Sequence, residues 1–380
     1  MTRPLSTARV RRFAAFLLVM AVQFGIFEVA LRVWGSSEAA PAFQGLFMQD
    51  PDVGFRLKPN ARARFETAEF DTHLDINNLG VRDSEDIGPK ATNERRIVVL
   101  GDSLVLSVQV PFEQTYGELL EARLNARQTR YRYRVVNAGV QGYGPVQERL
   151  FFRKVGASLE PDIVLVSVFV GNDAEEAFSS RSALDRDATP ALETLRQNLL
   201  NTMRRTVRRS MVLQVLRLRV TSATERFTMA IVPPEAPLQS YAESPAPRIQ
   251  QGIDITRDCI SAIAADASAL GARTGVILMP ARFQVDDADY GRLKSGIEQS
   301  GGRLLRDAAT ERFETAVSAL NLPMVDPLPA LRGAPPGPDL FFKRNVHLTP
   351  RGHHVVADVL ERFLEQHGLL GDAGPRPGGR

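Results

Sequence analysis

Short apolar runs recur along the chain and predict buried β-strands. Five predicted strands lie at 97–100, 134–137, 163–169, 276–279 and 323–326. They lack the alternation of a strand with one face in water, as expected for parallel strands that are covered on both faces. Helical patterns separate them, at 113–127, 146–157, 250–270 and 290–320. Strands alternating with helices predict an α/β fold, a three-layer α/β/α sandwich around a parallel sheet.

The segment before the first of these strands has a different pattern. Phe70, Thr72, Leu74 and Ile76 alternate with polar residues, and a turn sequence follows at 77–80. Alternation of this kind predicts a strand with one buried face. Residues 43–93 are too few for a core of their own, so we expect a small β-rich extension packed against the α/β domain of residues 94–367.

The amino terminus carries the longest apolar run of the chain. Residues 13–34 would span about 33 Å as a helix, which is enough to cross a bilayer. Residues 1–12 hold four arginines and no acidic residue, which predicts a cytoplasmic tail and an exported body. We expect a single-pass signal-anchor in a bacterial inner membrane. A signal peptide cleaved near Ala39, Ala40 or Ala42 and a buried soluble helix are the alternatives.

Positive charge is concentrated in two places rather than spread over the chain. Besides residues 1–12, the stretch 194–226 holds eight arginines against one glutamate, so the formal net charge of +3 hides an acidic body. No basic strip interleaved with aromatic residues indicates nucleic-acid binding. Leu195, Leu199, Met203 and Val207 recur every four residues, which predicts a basic amphipathic helix in an insertion at 190–232. It is either a lid helix or a contact for anionic lipid or an acidic polymer.

Composition limits the remaining possibilities. The 380 residues are 44% hydrophobic with a single cysteine, Cys259, which excludes an internal disulfide and a cysteine-based zinc site. We predict no cofactor and no metal. A Gly- and Pro-rich tail at 371–380 is expected to fray.

Polar residues follow three of the predicted strands and precede the last helix. Ser103 comes after the first strand in Gly101-Asp102-Ser103, Gly142 after the second, and Asn172 after the third. His347 lies just before the helix that begins at Thr349-Pro350. The carboxyl ends of the strands are where functional groups collect in open α/β sheets. A hydroxyl nucleophile needs a base and oxyanion donors, and these four positions supply those groups.

The order of these motifs resembles the SGNH hydrolases, the GDSL-like superfamily of esterases and acyltransferases. Its blocks resemble 97–104, 137–142, 171–173 and the segment ending at His347, and the resemblance runs from about residue 52 to about residue 366. It implies a flavodoxin-like five-stranded sheet. It also implies Ser103 as nucleophile, His347 as general base, and Ser103, Gly142 and Asn172 as the oxyanion hole.

The sequence departs from this family at the acid of the triad. Family members place an aspartate three or two residues before the histidine, and those positions are Arg344 and Asn345 here. Arginine has no acceptor for an imidazole N–H, whereas the Asn345 amide has one but brings no charge. Three explanations remain open: a Ser–His dyad oriented by Asn345 or a backbone carbonyl, a carboxylate from elsewhere such as Asp339, or a weakened site. Ser107, where many members have glycine, is a milder departure.

Two functions are therefore predicted, in order. The first is a serine esterase that removes or transfers a small acyl group, acetyl in the first instance, on a cell-envelope or extracellular glycan. The second is a glycan-binding or scaffold protein on an inactive SGNH fold. His73, His353, His354 and Cys259 are predicted to be packing or surface residues, and Asp102 to brace the nucleophile turn.

Overall fold

The computed structural model describes residues 45–127, 129–184, 236–299 and 301–371, together with Gln23. Apart from Gln23, these belong to one compact unit, residues 40–186 with 234–380, and the other unit of the chain lies outside them. The predictions made for residues 1–12 and 190–232 therefore fall outside the described residues, as do those for 13–34 and 371–380 apart from Gln23 and Gly371. In the part that is described, no helix combines the length and hydropathy that a bilayer crossing requires.

Residues 47–75 form two antiparallel hairpins, one of β1 with β2 and one of β3 with β4. The strands are β1 (Phe47–Asp50), β2 (Gly54–Leu57), β3 (Arg62–Glu66) and β4 (Asp71–Asp75). The inward side chains of these strands join the same hydrophobic cluster as the central sheet: Leu57, Phe65 and Leu74 are buried there with Val98 and Val136. The extension is thus continuous with the core of the α/β domain.

A five-stranded parallel sheet forms the centre of the domain, in the order β6-β5-β7-β8-β9. Its strands are β5 (Glu94–Gly101), β6 (Arg132–Gly139), β7 (Ile163–Phe169), β8 (Arg273–Met279) and β9 (Met324–Val325). Counted within this sheet, the order is 2-1-3-4-5, the flavodoxin-like order. The first three strands are therefore neighbours, and their carboxyl ends lie side by side.

Helices cover both faces of the sheet. The α-helices are α1 (Ser103–Leu106), α2 (Tyr116–Ala126), α3 (Pro145–Leu159), α4 (Asp173–Ser180), α5 (Pro247–Ala269), α6 (Arg282–Val285), α7 (Asp287–Gln299), α8 (Ala308–Ser318), α9 (Leu328–Arg332) and α10 (Pro350–Gln366). Short 3₁₀ turns lie at Phe112–Gln114, Arg181–Ala183 and Ala236–Tyr241. Helices α2 and α10 share one hydrophobic cluster with the sheet, and α3, α5 and α8 share the other.

The long helix predicted at 290–320 was wrong. It is two helices, α7 and α8, because the chain turns at Gly301, whose φ of +85° ends α7 in the left-handed region. The amide of Gly302 then donates back to the carbonyl of Ile297, which closes the end of α7. The helical spacing of apolar residues continues through this break and does not indicate it. The Gly301-Gly302 pair is the sequence feature that marks it.

Candidate active site

The turn that carries Ser103, the predicted nucleophile, follows β5 directly. β5 ends at Gly101, and a Cβ there would lie 2.3 Å from the Val105 side chain, so the close approach of α1 requires glycine. Asp102 caps α1 by accepting from the Leu104 N–H at 2.8 Å, which confirms its predicted bracing role. Ser103 is the first residue of α1 and is partly exposed at the sheet edge. Burial raises the pKa of Asp102 to about 6.

The end of this turn is held by Arg82, a residue of the extension. Its guanidinium is buried and donates to the carbonyls of Leu106 at 2.7 Å, Ser107 at 2.6 Å and Val110 at 2.8 Å. Desolvation lowers the pKa of Arg82 to about 10. Arg82 therefore fixes the segment that follows Ser103. No local sequence pattern predicted this role.

Ser107, where many members of the resembling family have glycine, is accommodated at the end of α1 by a side-chain hydrogen bond. It ends α1 with a φ of +53°, a left-handed conformation that favours glycine. Its hydroxyl donates to the Leu104 carbonyl at 2.6 Å, which satisfies one of the free carbonyls at the end of α1.

The loop after β6 packs against the same turn. A Cβ on Gly139 would lie 2.3 Å from the Leu106 amide nitrogen, and Asn137 Nδ2 donates to the Val105 carbonyl at 2.7 Å. Gly142 has a φ of +75° and open space where a Cβ would be. Its backbone is thus accessible beside the Ser103 turn.

The loop after β7 brings Asn172 to the same edge, although its amide is already engaged. Asn172 Nδ2 donates to Glu176 Oε1 at 2.8 Å, and Asn172 Oδ1 is buried with no hydrogen-bond partner among the described residues. Asp173 closes this turn by accepting from the Phe169 N–H at 2.8 Å. The structure therefore brings Ser103, Gly142 and Asn172 to adjacent loops.

His347 is oriented by Asn345. Asn345 Oδ1 accepts from the His347 backbone N–H at 3.2 Å and also contacts the ring nitrogen Nδ1. Since this oxygen is an acceptor, Nδ1 carries the ring proton and Nε2 holds the free lone pair. Nε2 is buried and has no partner among the described residues. Burial lowers the pKa of His347 to about 4, so the ring is neutral at physiological pH.

Two elements hold the loop that carries His347. Arg282, which follows β8, donates to the carbonyls of Phe342 at 2.9 Å and Lys343 at 2.7 Å. From the other side, the tip of the β3–β4 hairpin reaches the loop: the Glu69 carboxylate accepts from the Arg344 N–H at 3.0 Å. The ring of Phe70 lies 5.5 Å from the ring of Phe342. The hairpin also reaches the Ser103 side, where Thr72 Oγ1 donates to the Val108 carbonyl at 2.5 Å.

Asp339 does not orient His347, which corrects that alternative. Its exposed carboxylate lies 3.6 Å from Lys343 Nζ, and its backbone carbonyl accepts from Thr349 Oγ1 at 2.6 Å. Thr349 caps α10, with Pro350 in the first turn as predicted. Because Asp339 is fixed at the start of α10 and paired with Lys343, only Asn345 contacts Nδ1 within the described residues.

The other singled-out residues take packing or surface positions. His353 is buried, and its Nδ1 accepts from the Tyr116 N–H at 3.1 Å, while His354 is exposed. His73 lies on the exposed face of β4, and Cys259 is buried in α5. No group of three or more metal-ligand side chains is found in the described part of the chain.

Four carboxyl groups lie behind the site. Asp102, Glu148 and Asp173 are buried, and Glu176 is half-buried. Burial, together with their mutual repulsion, raises the pKa of Glu148 and of Asp173 well above the ordinary value. Glu148 is 1% exposed, and neither carboxyl oxygen has a partner in the described residues. Sequence reasoning missed Glu148 and Glu176. The signals were a glutamate in the buried stripe of α3 and a glutamate four residues after Asn172.

The comparisons give no family model that matches the chain, and no curated protein matches it. Among solved structures, it is similar to LAE5, an alpha/beta hydrolase enzyme from a Lake Arreo metagenome, with 16% identity, coverage of 75% of this chain and 99% of that chain, and a TM-score of 0.38. It is similar to Axe2, an acetylxylan esterase from Geobacillus stearothermophilus, with 13% identity, coverage of 71% and 94%, and a TM-score of 0.39.

A G-D-S-L family lipolytic protein from Desulfitobacterium hafniense is also similar, with 12% identity, coverage of 71% and 99%, and a TM-score of 0.36. At this level of similarity the neighbours carry no argument about chemistry. The resemblance of this chain to the SGNH hydrolases stands on its four ordered motifs and on the sheet edge that brings three of them to adjacent loops.

Proposed function

We propose that the protein is a serine esterase in which Ser103 is the nucleophile and His347 the general base. The observation that carries the proposal is the orientation of His347: Asn345 Oδ1 accepts at the Nδ1 side, which leaves Nε2 buried and without a partner within the described residues. A neutral imidazole with a free Nε2 is the form that removes a proton from a serine hydroxyl.

The reaction proceeds through an acyl-serine. Ser103 Oγ attacks the ester carbonyl while His347 Nε2 takes the hydroxyl proton, and backbone N–H groups of Ser103 and Gly142 with the Asn172 amide stabilise the oxyanion. His347 returns the proton to the departing alcohol. Water, or a sugar hydroxyl in a transferase, then releases the acyl group. The neutral Asn345 holds the ring tautomer, and no carboxylate of the described residues contacts the imidazolium that develops.

The experiment is turnover of p-nitrophenyl acetate by the full-length chain. Ser103→Ala and His347→Ala are expected to reduce kcat by about 10³-fold or more, because each removes a member of a unit that acts together. His354→Ala, an exposed histidine on α10, is the matched control and is expected to match the wild type. Equal rates in all four proteins would reject the assignment.

The second candidate function is a glycan-binding protein with a disabled site. The absence of a charge beside His347 Nδ1 is the observation that favours it, since replacing the triad aspartate by asparagine costs a serine protease about 10⁴ in kcat. Covalent labelling of the wild type by a fluorophosphonate, abolished in Ser103→Ala, would decide for the esterase. A protein that binds acetylated glycan and is never labelled would decide for the binder.

The substrate class and the location form the finer part of the proposal. An exported domain tethered by residues 13–34 would meet cell-envelope or extracellular glycans, and a small acyl ester such as acetyl is the proposed target. Acetylated xylan, the substrate class named for Axe2, is a suitable probe beside acetate and longer-chain nitrophenyl esters. We expect the full chain to sediment with membranes and a variant lacking residues 1–34 to remain in the supernatant. Recovery of both in the supernatant would reject the tether.

A further inference from the structure

Glu176 touches both loops that form the proposed oxyanion hole. It lies in α4, one turn after Asn172, and its Oε1 accepts from Asn172 Nδ2 at 2.8 Å. Across the gap, a Cβ on Gly144 would lie 2.8 Å from Glu176 Cβ and 3.1 Å from Glu176 Oε2. Glycine at position 144 thus leaves the space that the Glu176 side chain fills, next to the Gly142 turn.

In this arrangement the side-chain amide of Asn172 does not offer its N–H donor to the proposed oxyanion hole. Its donor, Nδ2, is turned to Glu176, and its acceptor, Oδ1, is buried with no partner in the part of the chain that the structure describes. An acceptor facing a developing oxyanion would repel it, whereas a donor stabilises it. Oxygen and nitrogen of a carboxamide have nearly the same shape, so a half-turn of the amide exchanges them without a change in packing.

The surroundings of Glu176 favour a proton on its carboxyl group. Asp102 from the end of β5, Glu148 from α3 and Asp173 from the start of α4 all lie close enough to repel an anion there. Within the described residues, none of the four carboxyl groups has an ion pair with a lysine or arginine. The nearby Arg248 on α5 pairs instead with Glu175 at 3.1 Å. Burial and Asp102 raise the pKa of Glu176 to about 7, against the lowering effect of the Asn172 hydrogen bond.

We propose that Glu176 is a positioning residue whose protonated carboxyl donates to Asn172 Oδ1 and so turns Asn172 Nδ2 toward the oxyanion. When Glu176 loses its proton, the carboxylate takes the Nδ2 donor, as in the contact described above, and Oδ1 replaces it at the hole. Gain or loss of one proton by Glu176 therefore switches Asn172 between the orientation that stabilises the oxyanion and the one that does not. This inference rests on the proposed esterase function.

The test combines a pH profile with a direct observation of Asn172. In the full-length wild type, kcat/KM for p-nitrophenyl acetate is expected to rise through the pKa of His347, about 4, and to fall above the pKa of Glu176, about 7. The fall in kcat/KM is expected to reach about 30-fold by about pH 8.5, because the fraction of Glu176 that is protonated falls tenfold per pH unit above its pKa.

Variants separate positioning from packing. Glu176→Gln always carries a donor, so we expect its profile to stay level above about pH 7. Glu176→Ala has no donor, and we expect kcat to fall by about 10²-fold with little change in KM. Glu175→Gln, at the half-buried neighbour that pairs with Arg248, is the matched control and is expected to keep the wild-type profile. An alkaline fall that persists in Glu176→Gln would overturn the proposal.

The second measurement does not depend on turnover. The side-chain amide resonances of Asn172, in asparagine-labelled full-length protein, are expected to shift with a midpoint near pH 7 and to lose that shift in Glu176→Gln. If the wild type shows no Ser103-dependent turnover, the esterase proposal fails, and this titration alone decides whether Glu176 controls Asn172. Amide resonances that are level through neutral pH would reject that control.

Discussion

At the scale of single residues, Asn345 fixes the tautomer of His347, and burial sets its base strength. The amide oxygen fixes the tautomer of the ring but adds no charge, and burial then lowers the pKa of His347 to about 4. A base of such low pKa is neutral at nearly every pH but takes a proton only weakly, so the site combines wide availability with modest strength.

Replacing Asn345 by aspartate tests this description. Asn345→Asp would place an anion on Nδ1–H, raise the pKa of His347 and stabilise the imidazolium, so we expect kcat to increase by about tenfold or more. The pH–rate profile should show the acid limb moving upward from about 4. Asp339→Asn is the control and should change neither value, since that carboxylate lies beside Lys343. An unchanged rate and acid limb in Asn345→Asp would contradict this account of His347.

The residue scale also shows what sequence reasoning could reach. Ser103, Gly142, Asn172 and His347 each follow a recognisable local signal, a strand end or a helix start, and were found. Glu148 and Glu176 were not, because a buried carboxyl group reads in sequence like any surface glutamate of a helix. Only the packing of α3 against α4 reveals that the two carboxyl groups lie close enough for their charges to interact.

At the scale of elements, the β3–β4 hairpin serves as a brace for the His347 loop. Its tip holds Arg344 through Glu69 and packs Phe70 on Phe342, while Thr72 contacts the segment after α1. One hairpin therefore contacts both the loop that carries His347 and the segment that follows the Ser103 helix. A substitution in the hairpin could therefore displace the His347 loop, and a small displacement of a catalytic group can lower the rate strongly.

Removing the brace should affect rate more than stability. We expect Glu69→Ala to lower kcat by about tenfold, because the loop loses the acceptor that holds the Arg344 N–H, with a change in Tm of only a few degrees. Hydrogen exchange should increase in residues 342–347. Glu66→Ala, which removes an exposed carboxylate of the same hairpin, is the control. A wild-type rate in Glu69→Ala would show that the loop holds its shape without the hairpin.

Arg82 is the second link between the extension and the site, and its loss should be costly to stability. Arg82→Met would leave three buried carbonyls without their donor, and we expect the free energy of unfolding to fall by about 3 kcal/mol. Denaturant unfolding measures this, with Arg62→Met as the control, since the Arg62 side chain is 86% exposed and its ion pair with Asp75 contributes little. Equal losses in both variants would remove the special role of Arg82.

At the scale of the whole molecule, the parallel sheet could be predicted because its strands are nearly uninterrupted apolar runs. The predicted strand cores at 97–100, 163–169 and 276–279 all lie inside observed strands. What the sequence did not reveal is how the extension packs. A polar alternation predicts a strand, but the contacts of Arg82, Glu69 and Thr72 with the site depend on long-range placement that no local pattern encodes.

The four carboxyl groups behind Asn172 also have a thermodynamic consequence for the molecule. Because the folded state raises the pKa of Glu176 from 4.5 to about 7, folding takes up protons near neutral pH. The stabilisation from Glu176 amounts to at most about 3 kcal/mol. It is complete below about pH 4.5 and is lost as the pH rises through about 7.

Folding of this domain is thus an acid–base reaction as well as a packing reaction. Chemical denaturation at about pH 6 and about pH 8.5 should show lower stability at the higher pH, with a smaller difference in Glu176→Gln. The heat of unfolding should also depend on the ionisation enthalpy of the buffer, since protons stored beneath the oxyanion hole are released to it. A stability that is independent of pH in this range would show that the cluster stores none.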